Sequence, residues 1–170
     1  MIATIVGALG VGANIIIYQQ KSRKRILTAK LISDVLWMLH YLLLSAYSGA
    51  AIAFIGIFRE LVFFHKDKKW AESKLWLIFF LICSVASAVF TWNNPFSLLP
   101  AAASIISVIS FWQNSPNLTR YLAFVISGCM FTYDIVSGSD MGIINEILTV
   151  ASTSIGINRY SSKNKVEERL

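Results

Sequence analysis

The sequence predicts an all-α integral membrane protein with seven transmembrane helices. Hydrophobic residues make up 56% of the 170 residues and charged residues only 14%, whereas soluble domains carry roughly 45–50% and about 25%. Seven long apolar stretches run through the chain, and nearly every basic residue lies in alternate gaps between them. This length suffices for one helical bundle and leaves almost no residues for a soluble domain.

The seven stretches have the length that a membrane crossing requires. A helix needs about 20 mostly apolar residues to cross a hydrocarbon core of roughly 30 Å. Polar, basic or turn-forming residues separate the stretches and mark their ends. The predicted spans are 2–20, 26–46, 48–65, 75–92, 96–113, 118–138 and 140–158. The third and seventh spans are short and carry charges.

The basic residues predict how the chain is oriented. They occupy the gaps after the first and third spans and the tail after the seventh, the gap after the fifth leads into Arg120, and the other three gaps contain none. Short loops rich in lysine and arginine stay in the cytoplasm. We therefore expect an N-terminus outside the cell and a cytoplasmic C-terminus. The net charge of +6 is explained by these loops, and nucleic-acid binding is not expected.

The order of long helices and loops predicts an internal repeat. Tyr18-Gln19-Gln20 ends the first helix of one unit, and Phe111-Trp112-Gln113 ends the first helix of the other. Two three-helix units with the same orientation need an odd linker helix between them. The predicted divisions are a first unit at 1–70, a linker helix at 71–94, a second unit at 95–160 and a cytoplasmic tail at 161–170. Parallel repeats of this kind are a recurring transporter plan, with the substrate path between the repeats.

Several short segments carry a resemblance to known families. They are Arg59, Leu98-Leu99-Pro100, Leu118-Thr119-x-Arg120, Tyr133-Asp-Ile135, Ser139-Asp140 and Ile144-Asn145-Glu-Ile147. The layout resembles the SWEET and PQ-loop superfamily of small sugar and metabolite transporters, and the segments resemble the YgjV-like bacterial inner-membrane proteins. The resemblance implies a SWEET-like arrangement of the two repeats and a location in the bacterial plasma (inner) membrane. The defining Pro-Gln pair is replaced by Gln19-Gln20 and by Trp112-Gln113. The SWEET pocket asparagine is placed at Asn145, while its counterpart near Ile52 to Phe54 is not an amide.

Charged residues inside the predicted spans are candidates for function, because charge in a bilayer is costly and usually faces the bundle interior or water. At about 1.5 Å per residue, Asp34 lies about 12 Å and Arg59 about 9 Å from the basic ends of their helices. Similar depth on antiparallel neighbours predicts an Asp34–Arg59 ion pair, for which Lys30 can compete. The pair either ties two helices together or contacts and gates a substrate.

Other polar and aromatic residues extend this candidate site. Trp37 and His40 share one helix face, where they either contact a solute or form an interfacial aromatic belt or satisfied packing. Asn145 is an amide that both donates and accepts hydrogen bonds. Glu146 and Asp134 are candidates for carrying or binding a proton or cation, and the alternative for Asp134, which we expect, is that it is wet at the surface. The candidate pathway or gating residues are Asp34, Trp37, His40, Arg59, Gln113, Tyr133, Asn145 and Glu146.

These features predict a carrier that moves a small polar metabolite, such as a sugar, a vitamin or an organic acid, by rocking one unit against the other. The alternative is a non-transporting membrane protein: a sensor, an assembly factor or a partner subunit. That alternative predicts a sealed bundle without a polar cavity between the units. No catalytic constellation is found, so an enzyme is not expected, and neither a cofactor nor a metal site is predicted. The expected partners are the lipid bilayer and a small-molecule solute, and the sequence does not decide between a monomer and a homo-oligomer.

Overall fold

The computed structural model describes residues 2–167, with side chains described for 2–159. Helices dominate this part of the chain, and no strand occurs in it. The helices are α1 (Ile2–Ile17), α2 (Arg23–Leu43), α3 (Tyr47–Phe64), α4 (Lys69–Glu72), α5 (Lys74–Phe90), α6 (Leu98–Trp112), α7 (Pro116–Ser137) and α8 (Asp140–Glu167), and a 3₁₀ turn at Pro95–Ser97 leads into α6. Each predicted span coincides with one long helix. The additional helix, α4, is a single turn in the loop between α3 and α5.

Three helices in the described part of the chain are long and apolar enough to cross a membrane. They are Arg23–Leu43, Tyr47–Phe64 and Pro95–Trp112, with mean hydropathies of 1.4, 1.5 and 1.6. Helices α1 and α5 are also apolar but have only 16 and 17 residues. The structure therefore shows an all-helical protein with candidate membrane spans, and the count of seven crossings stays a prediction.

The last helix extends into the predicted cytoplasmic tail. Helix α8 continues to Glu167, past the expected end of the span at residue 158. The side chains of Lys163 and Lys165 and the whole of Arg169 lie outside the described residues. The charge of the tail therefore remains a feature of the sequence.

Local sequence explains where the helices begin and end. The hydroxyl of Ser22 accepts a hydrogen bond from the Arg25 amide at the start of α2, and Ser115 does the same at the start of α7, followed by Pro116 in the first turn. Such caps satisfy amides that have no partner inside the helix. Gly138 ends α7 with a φ of +68°, a conformation that glycine adopts without steric cost.

Six helices form a closed ring. Helix α2 packs between α1 and α3, and α7 packs between α6 and α8. The ring closes through contacts of α1 with α8 and of α3 with α6, while α5 packs outside against α3 and α6. We call α1–α3 the first unit and α6–α8 the second unit. If the helices of the first unit are exchanged in order with those of the second, the same pairs of ring helices are in contact.

The two ends of the ring differ in chemistry. The end formed by residues 18–25, 65–74 and 113–120 carries most of the described lysines and arginines, and we call it the basic end. The opposite end is formed by residues 44–46, 91–94 and 138–139. Apolar clusters fill both ends: Ile17, Leu27, Phe63, Phe80 and Phe111 belong to the cluster at the basic end, and Val11, Trp37, Tyr41, Ala50 and Tyr133 belong to the other.

Small residues let α1 approach its neighbours closely. A Cβ added to Gly7 would lie 2.6 Å from the Cβ of Met141, and one added to Gly10 would lie 3.1 Å from the Trp37 ring. Close approach through small residues is a common way for helices to associate in lipid. Gly12 differs from both, because a Cβ there would meet nothing within 4 Å.

Candidate functional site

A polar cavity of about 100 Å³ lies where the six helices of the ring meet. Every helix of both units contributes to its wall, and α5 contributes none. Its charged and amide lining residues are Asn14, Lys30, Asp34, Arg59, Asn145 and Glu146. A buried water needs roughly 10–15 Å³ of such space, so the cavity has room for several waters or one small solute.

Four charged side chains form one buried cluster against the cavity. Arg59 donates from Nε and Nη2 to the two carboxylate oxygens of Glu60, each at 2.9 Å. Asp34 binds Lys30 one turn earlier on α2. The predicted pair of Asp34 and Arg59 is present only as a long contact, with Nη2 4.0 Å from Oδ2. The closest partner of each residue therefore lies on its own helix, and the contact between α2 and α3 is the weaker one.

A chain of hydrogen bonds links three helices across the cavity. Ser33 donates to Asn14 at 2.9 Å, and the Asn14 amide donates to Asn145 at 2.9 Å. Asn145 in turn donates to Oε1 of Glu146 at 2.8 Å. All three donors are oriented towards Glu146. The chain joins α2 and α1 of the first unit to α8 of the second.

Several buried polar atoms of the lining have no hydrogen-bond partner among the described residues. They are Nε1 of Trp37, Nη1 of Arg59, Oδ2 of Asp34 and Oγ1 of Thr149. Buried polar groups in folded proteins nearly always have a partner in protein or ordered water. A polar occupant of the cavity would satisfy these groups, which are two donors, a carboxylate oxygen and a hydroxyl that can donate or accept.

Two arginines hold the units together at the basic end. Arg23, at the start of α2, donates to the carbonyls of Phe111 at 3.0 Å and Gln113 at 3.2 Å, where α6 ends. Arg120, in the second turn of α7, donates to the carbonyls of Tyr18 at 3.3 Å and Gln20 at 3.1 Å, where α1 ends. These carbonyls occupy matching positions in the two repeats. Helix C-termini attract cations because their last carbonyls lack partners. The arginine of each unit therefore donates hydrogen bonds to unpaired carbonyls at a helix end of the other unit.

Hydrogen bonds that involve the side chains of Tyr41, Tyr133 and His40 close the opposite end. The hydroxyl of Tyr41 donates to Asp134 at 2.7 Å, and the Gly49 amide donates to the Tyr133 hydroxyl at 3.1 Å. His40 lies with Nε2 2.8 Å from the Ser139 hydroxyl. Each of these contacts joins the first unit to the second. We call this set the tyrosine closure and the two arginines the arginine closure.

The expectation that Asp134 is wet was wrong. Its side chain is fully buried, because Tyr41 covers it from α2 and the backbone of α8 approaches it at Gly142. The prediction counted residues from the end of α7, which measures depth along one helix only. Depth takes no account of a side chain from a neighbouring helix that covers the carboxylate.

The structure brings five of the predicted pathway residues to the cavity and separates the other three. Asp34, Trp37, Arg59, Asn145 and Glu146 line it. His40 and Tyr133 belong to the tyrosine closure, where His40 is also 2.9 Å from the Ala3 carbonyl through Nδ1. A neutral imidazole satisfies both contacts, which agrees with the alternative of satisfied packing. The side chain of Gln113 is exposed at the end of α6 and does not line the cavity.

Sequence reasoning missed Glu60, Arg23 and Arg120 as parts of this site. Glu60 had a visible signal, because it is a second charge directly after Arg59 inside an apolar helix. The two arginines had a weaker signal in the sequence, since they stand beside the basic loops. Their role depends on contacts over about one hundred positions of sequence, which only the packing of the units reveals.

Outside the bundle, the basic end carries a small surface network. Lys24 donates to Asp67 at 3.2 Å, and this hydrogen bond holds the pKa of the exposed Asp67 carboxyl below its usual value. The Lys66 ammonium lies 3.9 Å from the centre of the Trp112 ring, and partial burial there lowers the pKa of Lys66. Across the described side chains, no group of three or more His, Cys, Asp or Glu residues is placed to hold a metal ion.

Comparison with known proteins identifies a family. The family model described as "Imp-YgjV: Bacterial inner membrane protein" matches residues 1–164, so the resemblance to YgjV-like proteins is confirmed. Neither the curated proteins nor the solved structures contain a match. The SWEET-like arrangement of the repeats therefore stays a prediction. Because the match covers nearly the whole sequence, the chain belongs to the Imp-YgjV family of bacterial inner membrane proteins.

Proposed function

We propose that this protein is a carrier for a small polar solute, working by alternating access between its two three-helix units. One observation carries the proposal: a polar cavity is lined by both units and closed at each end by hydrogen bonds between them. This is the arrangement that an occluded carrier needs. The solute site lies between the units, and each end of the ring is held by contacts that can break without unfolding either unit.

The contacts between the helices support a SWEET-like arrangement with seven crossings. The units meet through α1 with α8 and through α3 with α6. If α1 and α3 of the first unit are exchanged with α6 and α8 of the second, each of these two contacts becomes the other. The linker α5 stays outside the ring, where Leu75, Ile82 and Val89 are more than half exposed. Parallel repeats related by an axis along the membrane normal place the substrate between them. The exposed apolar face of α5 suits lipid.

The two closures suggest how the carrier would open. Breaking the arginine closure would expose the cavity at the basic end while the tyrosine closure stays intact, and the reverse holds for the other exit. A hydrogen bond contributes only about 0.5–1.5 kcal/mol net, and one to a charged group about 1.5–3 kcal/mol. The contacts of either set can therefore be exchanged for water one at a time during a transport cycle. By the rule that basic loops stay inside, the basic end faces the cytoplasm, which gives an outside N-terminus.

The alternative of a non-transporting protein predicted a sealed bundle without a polar cavity. The open space and its polar lining, to which both units contribute, support the carrier. A sensor that binds a solute without moving it shares the cavity. Uptake, rather than binding alone, separates the two.

A ligand screen followed by transport tests the proposal. We expect at least one class among sugars, amino acids, amines, nucleosides and organic acids to raise the melting temperature of the purified protein, and the active compound to enter proteoliposomes. Asn145→Ala should weaken its apparent affinity about tenfold, the cost of roughly 1.4 kcal/mol for a lost amide contact. Thr132→Ala is the control, since Thr132 is exposed and bonds only to its own helix at Gly128. A screen in which no class binds would contradict a solute cavity.

A further inference from the structure

The charges around the cavity do not balance. Two cations, Lys30 and Arg59, stand against three carboxylates, Asp34, Glu60 and Glu146, among the residues that line the cavity or bind its lining. Arg59 directs two nitrogens to Glu60, and Lys30 binds Asp34. Glu146 has no ion-pair partner among the side chains that the structure describes, although it is only 8% exposed.

We propose that the solute carried in this cavity is a small amine or quaternary ammonium compound whose positive charge binds beside Glu146. This inference rests on the proposed carrier function and names its substrate class. A carboxylate taken out of water is strongly destabilised unless a cation or several hydrogen bonds compensate it. Glu146 receives the amide hydrogen bond from Asn145, which orients it but carries no full charge. A cationic solute supplies the missing charge.

A second observation, independent of Glu146, points to the same class. Asp34 lines the cavity, and its Oδ2 is buried, receives no hydrogen bond from the described residues and lies 4.0 Å from Nη2 of Arg59. A protonated amine has up to three donor hydrogens, so it can serve both Glu146 and Asp34. A quaternary ammonium group lacks these donors and would bind through charge alone.

The remaining lining residues suit the rest of such a molecule. The rings of Trp37 and Tyr41 form part of the wall, and aromatic faces attract organic cations. The ring of Phe111 already faces the Arg59 guanidinium at 5.4 Å. The unmatched donors, Nε1 of Trp37 and Nη1 of Arg59, require an acceptor on the solute. The geometry therefore favours an amine that also carries a hydroxyl or carbonyl oxygen.

The positive charge that compensates Glu146 can come from the solute or from a proton, and each source implies a different transport mechanism. An amine brings the charge on the solute itself. A proton on Glu146 would instead accompany a neutral solute, and transport would then follow the pH gradient. Both use the same carboxylate, so the experiment must vary the charge of the solute and the pH gradient separately.

The test uses the full-length protein in detergent and in proteoliposomes with defined probes. The cationic probes are ethanolamine, choline and lysine, the neutral probes are erythritol, glucose and 3,3-dimethyl-1-butanol (the uncharged isostere of choline), and the anionic probes are lactate and succinate. We expect only cationic probes to raise the melting temperature and to produce a transport current without a pH gradient. Glu146→Gln should weaken their apparent affinity at least about tenfold. Glu146→Asp, which keeps the charge, should retain the preference for cations.

Asp67→Asn is the matched control. It removes one carboxylate from an exposed loop position at the basic end and should leave both affinity and current unchanged. Binding and uptake of a neutral or anionic probe, with every cationic probe inactive, would overturn the charge inference and leave the carrier function standing. Uptake of a neutral probe driven by a pH gradient and lost in Glu146→Gln would overturn it in favour of a proton. Inactivity of all probes in binding and uptake would count against both proposals.

Discussion

Replacing Arg59 by glutamine is expected to lower the free energy of unfolding by about 3–5 kcal/mol, the usual cost of removing one partner of a buried ion pair. Arg59 is 3% exposed and bonds to Glu60, which is 1% exposed. Without the guanidinium, the carboxylates of Glu60 and Asp34 would share a low-dielectric site, and Glu60 would lose both of the nitrogens that bond to it. Equilibrium unfolding in mixed detergent micelles measures the loss.

A double variant separates charge from packing. Arg59→Met with Glu60→Met removes both members of the pair and leaves Asp34 with Lys30, so no carboxylate loses its closest cation. Replacement of an entire buried pair by apolar residues is often neutral or stabilising. We expect the double variant to recover most of the stability that Arg59→Gln loses. Equal losses in the two variants would show that Arg59 acts through its shape and not through its charge.

Removal of the arginine closure is expected to open the cavity at the basic end. Arg23→Gln together with Arg120→Gln removes four hydrogen bonds between the units. Charged hydrogen bonds contribute about 1.5–3 kcal/mol each, so the total lost exceeds the roughly 5.5 kcal/mol that reverses a 99:1 population. The variant should therefore be open at the basic end for much of the time.

A single cysteine in the cavity reports this opening. In a background with Cys83 and Cys129 replaced by alanine, Ser107→Cys places a thiol on the cavity wall. We expect a membrane-impermeant thiol reagent to label it at least about tenfold faster in the double arginine variant. Lys24→Gln is the control, since Lys24 is an exposed basic-end residue paired only with Asp67 and packed near Phe64. An unchanged rate, with the fold intact by melting temperature, would show that the arginines stabilise helix ends without closing the cavity.

The sequence was most informative about elements that depend on one helix at a time. Apolar stretches located the long helices, and the depth of Asp34 and Arg59 predicted their contact, for which Lys30 competes. The same reasoning failed where a second helix decides the outcome, because Tyr41 covers Asp134.

The site itself was only partly predictable, for a physical reason. Which side chain faces the cavity depends on the rotation of each helix about its axis, and in lipid an apolar face does not distinguish the bundle interior from the exterior. Asn145 and Glu146 were identified because polar groups inside a span must face the interior. Arg23 and Arg120 carried a weaker signal, since a cation near the end of a span can also reach water. Their contacts follow from the way that the two units assemble.

Access to the cavity from both sides tests the central claim most directly. In sealed vesicles, the Ser107→Cys thiol should react with an impermeant reagent added from either side of the membrane. A bound solute should slow the reaction from both sides, because one site serves both exits. Labelling from one side only, whatever the conditions, would contradict alternating access between the two units.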